Sequence, residues 1–353
     1  MNNVGVRDNQ LDIYRGISML YVVCFIHVIF WYNIGKEPFL SIALIEMPAI
    51  FFISGASLSI RNNKKTLLET FLNRFKRVIL PYYIYAFVSL LILALLTLFG
   101  RDVISYIGSN VDLNFGYEFF FDITSYSMND IIYVLFCRSI PQSPFSSHLW
   151  FILPYMIISC SFVFQSYITK KTNRWYYAVF CIILCVVTQL ITNMSIIREI
   201  VFYNVFFMSG YLFYKRIGKI EIAILGLIFL LLIVAYVVFV ESFTPMQRHK
   251  FPPDLLFLCY GLFFLCFISL ILGNFKLPKL WIFQLWNSRG YTIYLYQNFI
   301  YFLVYIFLLT FIKKIQCEFV QCIICSVVIF LISTLLSFLT YRIERYVVAR
   351  LGT

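Results

Sequence analysis

The sequence predicts an all-α, polytopic transmembrane bundle of about ten helices, with the N- and C-termini cytoplasmic. Three observations lead there. Of the 353 residues, 62% are hydrophobic and only 12% are charged, against about 25% charged in an ordinary soluble protein. Forty Phe and twenty-six Tyr exceed what one soluble domain of this length can hide. The apolar residues run in long blocks with the charges pushed into the gaps between them. Stretches such as 84–99 and 220–240 are apolar on every face, whereas a barrel strand would alternate. Disorder is excluded by the hydrophobicity, and a fibrous array by the lack of a short period.

Each block is justified in turn. The first, near 16–34, is too long for the core of a signal peptide and lacks a small-residue cleavage site, so it stays as a helix. The second covers 40–60. The third, 79–99, opens at Pro81, a residue at home in a first helical turn. Blocks at 148–168 and 175–193 follow. The one at 200–214 is short and borrows thickness from its neighbour. Those at 220–240, 254–273, 291–311 and 319–340 complete the set, as a single domain over 1–353. Between the third and fourth runs a long connection, Gly100 to Ser147, carrying Asp102, Asp112, Glu118, Asp122 and Asp130 beside Phe119, Phe120 and Phe121. Connections of this length without structure of their own are uncommon. The aromatic content predicts a partly folded external cap.

Ten spans put both termini on one side. With the N-terminus inside, twenty of the twenty-eight Lys and Arg residues fall in the cytoplasm, as the positive-inside rule requires. That distribution also explains the formal net charge of +12 without nucleic acid, for which no motif is present. The compact loops point to a bacterial protein, and hence to the inner (plasma) membrane. Eight of the ten cysteines lie within apolar segments and read as small hydrophobes. Cys322 and Cys325 form a CxxC pair, but the neighbouring sequence supplies no further metal ligand, and no metal is expected.

Few residues can carry chemistry. Of three histidines, His249 sits in the polar segment 247–250 and reads as a solvated loop residue. His27 lies eleven residues past Gly16, about 16 Å into helix one at ~1.5 Å per residue. That is near the bilayer midplane, where an ionisable residue is a functional candidate by default. The bland alternative is a histidine bonding a neighbouring helix. Asp12 and Arg15, three apart at the cytoplasmic mouth of the same helix, share a face and can pair; interface anchoring is the rival reading. Arg74 and Arg77 repeat that spacing before Pro81. Two guanidiniums on one face suit a phosphate or pyrophosphate, and topology anchoring explains them equally. No Gly-x-Ser-x-Gly elbow surrounds Ser54. Ser54, Gly55 and Ala56 read as a site of close helix packing.

Taken in order, several segments are familiar. They are Leu11-Asp12-Ile13-Tyr14-Arg15-Gly16, His27, Phe51-Phe52-Ile53-Ser54-Gly55, Arg74-Phe75-Lys76-Arg77 with Leu80-Pro81-Tyr82, His148-Leu149-Trp150-Phe151, Phe206 to Tyr211 and Ile343-Glu344-Arg345. In this order, over nearly the whole chain, they resemble the acyltransferase-3 family of membrane acyltransferases. The resemblance implies ten helices and transfer of an acyl group, acetyl first, from cytoplasmic acyl-CoA to a hydroxyl of a surface polysaccharide or its lipid-linked precursor. It implies no permanently bound cofactor. Two features depart from the family. Gln297 stands where many relatives carry histidine. Eleven residues, not ten, separate Arg15 from His27. On a straight helix, eleven steps turn about 20° modulo a circle but twelve turn about 120°, so a π-bulge or a late helix start has to absorb one residue if the two share a face.

Transfer to an alcohol needs a base for the hydroxyl and stabilisation of the oxyanion. His27 is the expected general base, with the acceptor oxygen attacking the thioester directly. Arg15 is expected to position donor groups or the carbonyl, and Asp12 to hold Arg15. Arg74 and Arg77 would bind the coenzyme A phosphates, and His148 and Trp150 would line the acceptor side. One rival is a transporter or flippase for a lipid-linked sugar, which paired broken helices in inverted repeats would favour; the sequence shows no convincing internal similarity. A second rival is an inactive scaffold, made thinkable by the altered spacing.

Overall fold

A chain that must satisfy its backbone without water has two options in lipid, the helix and the closed barrel. The computed structural model takes the first. It describes residues 8–32, 37–60, 66–100, 102, 124, 126–138, 145–240, 244–273, 275–312 and 314–351, and among them no strand forms beyond an isolated bridge between Lys250 and Pro253.

In chain order the helices are α1 (Asn9–Trp31), α2 (Phe39–Ile60), α3 (Leu67–Phe99), α4 (Met128–Leu135), α5 (Ser147–Lys171), α6 (Arg174–Ile191), α7 (Ser195–Phe213), α8 (Lys219–Phe239), α9 (Met246–Lys250), α10 (Leu255–Leu272), α11 (Trp281–Ile312) and α12 (Glu318–Leu351). Among the described residues, nine of these are long and apolar enough to cross a membrane. The expected span at 291–311 lies inside α11. Polar residues cap the apolar blocks and satisfy the first amides. Asp8 accepts from Gln10 N and Leu11 N at 3.0 and 3.4 Å, Asn173 from Trp175 N at 2.9 Å, and Asp254 from Phe257 N at 2.9 Å. Leu227, Leu231, Val238 and Phe239 leave α8 with an exposed apolar surface, unfavourable in water but natural against lipid.

Three expected boundaries shift. α3 starts at Leu67, twelve residues before the expected 79, because the polar stretch ahead of Pro81 continues the same helix. α7 has 19 residues, about 28 Å at 1.5 Å each, so it needs no borrowed thickness. α1 begins at Asn9 and stops at Trp31, which leaves His27 four residues from its end. Most of the long connection lies outside the described residues, including Asp112, Glu118, Asp122 and the three phenylalanines. Within its described part, α4 opens with a capping box of Ser127 and Asp130. The hydroxyls of Tyr82 and Tyr83 donate to the carbonyls of Val134 and Leu135, at 2.8 and 2.6 Å.

The chain divides into two compact units, Met1–Thr66 with Ile157–Ser288, and Leu67–Met156 with Arg289–Thr353. In the first, α2 crosses α7 at two reciprocal glycines. A Cβ on Gly55 would stand 1.8 Å from the Phe207 carbonyl oxygen, and one on Gly210 would stand 1.9 Å from that of Phe52. Each glycine belongs to a Phe-Phe-x-Ser-Gly segment, so the close packing expected of Gly55 has a matching partner in α7. Around the crossing the rings of Phe51 and Tyr203 meet at 4.9 Å, with Phe206 and Phe257 beyond. The second unit has an aromatic centre in which Tyr85 meets Tyr296 edge-on at 5.1 Å and Phe299 at 5.3 Å.

Candidate functional site

The extra residue between Arg15 and His27 is taken up inside α1. Residues Val22–Ile26 form a π-helical turn, and α-helix resumes at His27. A π-turn holds one residue more than an α-turn because its hydrogen bonds run from i to i+5. The twelve steps from Arg15 to His27 therefore act as eleven, a net rotation of about 20° at 100° per residue. The two side chains belong to one face, as the resemblance requires. His27 is half-buried and takes part in an interaction of its own.

Arg15 is held from three sides within the first unit. Asp12, one turn before it, lies 3.8 Å from Nη1. Nη1 also donates to Asn287 Oδ1 of α11 at 3.3 Å, and Nη2 donates to Ser57 Oγ of α2. Helix approach makes this possible. A Cβ on Gly16 would be 2.2 Å from the Phe283 carbonyl oxygen, so only glycine lets α1 lie on α11 here. Asn287 is four residues, one turn, beyond that contact. The pairing of Asp12 with Arg15 was expected; Ser57 and Asn287 were not. A polar residue at the edge of an apolar block marks both positions, but only packing joins them.

In the second unit, Arg74 and Arg77 stand in different surroundings. A second π-turn, Phe75–Ile79, begins between them. With more residues per turn, three steps sweep less than in an α-helix, so the two side chains are further apart around the helix than α-helical spacing gives. Arg74 is half-buried, donates to the Tyr155 hydroxyl at 3.0 Å and stands 5.3 Å over its ring, whereas Arg77 is exposed. His148 opens α5 in a tight 3-10 turn and is buried. Its Nε2 is 3.2 Å from the Leu295 carbonyl oxygen; since a carbonyl only accepts, Nε2 carries the proton. Its own carbonyl accepts from the Tyr294 hydroxyl at 2.9 Å. Trp150 is half-buried, edge-on to Phe151. Gln297 is fully buried and accepts from the Tyr301 hydroxyl at 3.2 Å.

His249 corrects the sequence reading. It is not a solvated loop residue: it lies on α9 with 7% of its side chain exposed. Nδ1 meets Asp254 Oδ2 at 2.5 Å and Nε2 meets the Thr244 hydroxyl. Its neighbour Lys250 pairs with Glu46 of α2, both almost wholly buried. A polar run of four residues reads as solvated, but here His249 and Lys250 are buried against Asp254 and Glu46 while Arg248 stays exposed; an opposite charge is how a buried one is tolerated. No disulfide links any of the ten cysteines.

Against known protein families, the chain matches the model described as Acyltransferase domain over residues 8–342. No curated protein and no solved structure shows a significant match.

Proposed function

The chain belongs to this family of membrane acyltransferases, and from that premise we propose that it is an O-acetyltransferase of the bacterial inner membrane. It moves an acetyl group from cytoplasmic acetyl-CoA to a hydroxyl of a surface polysaccharide or its lipid-linked precursor. The observation that carries the reading is the π-turn at Val22–Ile26, which sets His27 on the same face of α1 as Arg15. A fold that merely packed these residues has no need to keep that register.

In this reading neutral His27 removes the proton of the acceptor hydroxyl, a task suited to imidazole near pH 7. The oxygen attacks the thioester carbonyl, the C–S bond breaks, and the proton passes to the departing thiolate of coenzyme A. Arg15 positions the donor group or its carbonyl, with Asp12 beside it. Arg74 and Arg77 take the phosphates of the donor, and His148 and Trp150 serve the acceptor. The termini are cytoplasmic by the distribution of Lys and Arg. Radiolabelled acetyl-CoA supplied to isolated membranes tests the whole: label entering glycan supports transfer, and none entering it supports a transporter or flippase instead.

A further inference from the structure

We propose that Ser57 and Asn287 are positioning residues for Arg15, and that together they set its guanidinium as the receptor for a negatively charged oxygen of the acyl donor. The inference rests on the acyl-transfer reading above. The chemistry of the two partners argues for it. Ser57 donates its own proton to the Ile53 carbonyl at 2.8 Å, so its oxygen faces Arg15 as an acceptor. Asn287 likewise presents Oδ1. Both are neutral: they fix the direction of the planar fork without cancelling its charge. Asp12 pairs with Arg15 at 3.8 Å, with its side chain 20% exposed. Arg15, Ser57 and Asn287 are all half-buried, a degree of exposure that keeps the cluster within reach of a ligand. Gly16 seats α1 on α11 at Phe283, so the approach of Arg15 to Asn287 is imposed by the backbone.

The charged oxygen belongs either to a donor phosphate or to the thioester carbonyl as it becomes an oxyanion, and kinetics separate the two. Labelled acetyl-CoA is supplied to membranes that carry the acceptor glycan, with each variant at matched abundance. Ser57→Ala and Asn287→Ala are each expected to lose about tenfold in kcat/KM, one charge-assisted hydrogen bond's worth, while Ser57→Thr keeps most of it. A rise in KM assigns the phosphate, and a fall in kcat at constant KM assigns the thioester oxygen. The sharper variant is Asn287→Asp, which preserves shape and acceptor but sets a carboxylate directly on Arg15. It is expected to lose at least as much as Asn287→Ala. Full activity in Asn287→Asp, or in both alanine variants, overturns the proposal and reduces the pair to packing. Absence of label transfer by the unaltered protein would instead sink the acyl-transfer reading itself.

Discussion

Arg15 and His27 share one face of α1 because the π-turn Val22–Ile26 stands between them. Twelve positions along a straight helix would turn them about 120° apart. Such turns in α-helices are frequent at functional sites. Deleting Cys24, one of the five residues of the turn, is expected to close it to ordinary α-helix and leave both flanks in register, with transfer largely retained. Inserting one alanine after Ser18 leaves the π-turn but rotates His27 by about 100° relative to Arg15, and is expected to abolish transfer. Equal activity in the two variants would show that the register has no functional meaning.

The two arginines of α3 are expected to differ. Arg74 is half-buried against Tyr155, and Arg74→Ala should weaken donor affinity by on the order of 1.5–3 kcal/mol. Arg77 is exposed, so Arg77→Ala should cost less, under about 1 kcal/mol, and only at low salt. Lysine at 74 should restore charge but not the planar fork, giving partial rescue. Acetyl-CoA affinity measured at two ionic strengths decides; unchanged affinity in both alanine variants would leave the pair as topology anchors.

The reciprocal glycines of α2 and α7 have no room for a methyl group. Gly55→Ala and Gly210→Ala are each expected to destabilise the protein by about 1–3 kcal/mol or more, the usual cost of overpacking. Less folded protein in the membrane and a lower unfolding temperature are the expected readings. Wild-type values for both variants would mean that the helices can part at no cost.

How much of this was legible in sequence varies with its physical origin. The spans were legible because lipid demands long apolar blocks, and 40–60 or 220–240 cannot be read otherwise. Helix starts were less so: the polar residues from Leu67 onward continue α3, and hydropathy alone stops at the apolar edge. The need for a π-bulge between Arg15 and His27 followed from counting, but its place at Val22–Ile26 did not, since packing and not local composition selects which turn widens. A second π-turn, at Phe75–Ile79 beside the arginine pair, escaped notice for the same reason. His249 was misread because polarity was taken for solvation. Its partner Asp254 lies only five residues on, but Lys250 reaches Glu46 across 204 positions, and no local pattern reveals such a pair. Ser57 and Asn287 escaped notice likewise, since they meet at Arg15 only once three helices have packed.

At the start of α1, Asp8 ties the helix to the turn after α7, accepting from Lys215 Nζ at 2.6 Å and the Tyr214 hydroxyl at 3.0 Å. Burial pushes its carboxyl up, but the hydrogen bonds from Lys215 and Tyr214 and the charge of Lys215 outweigh burial and leave it below the ordinary 3.8. A depressed carboxylate stabilises the fold above its unfolded value and loses that contribution as pH falls through its folded value. Asp8→Asn keeps the helix cap and removes the charge. It should be less stable than the unaltered protein at pH 7, by no more than about 1 kcal/mol because Lys215 is largely exposed. The gap should close as pH falls below the ordinary carboxylate value. A gap that persists unchanged in acid would locate its cause outside this ion pair.

The central claim is that His27 is the base that deprotonates the acceptor hydroxyl. A general base acts mainly in the transition state, so its loss should lower turnover far more than donor binding. The direct measurement is glycan acetylation in cells lacking the native enzyme and carrying His27→Ala or His27→Gln at matched membrane abundance, with acetyl-CoA binding measured on the same membranes. The account predicts that acetylation is abolished while binding stays near that of the unaltered protein. Acetylation at the unaltered level by His27→Ala would contradict it and reduce His27 to a packing residue.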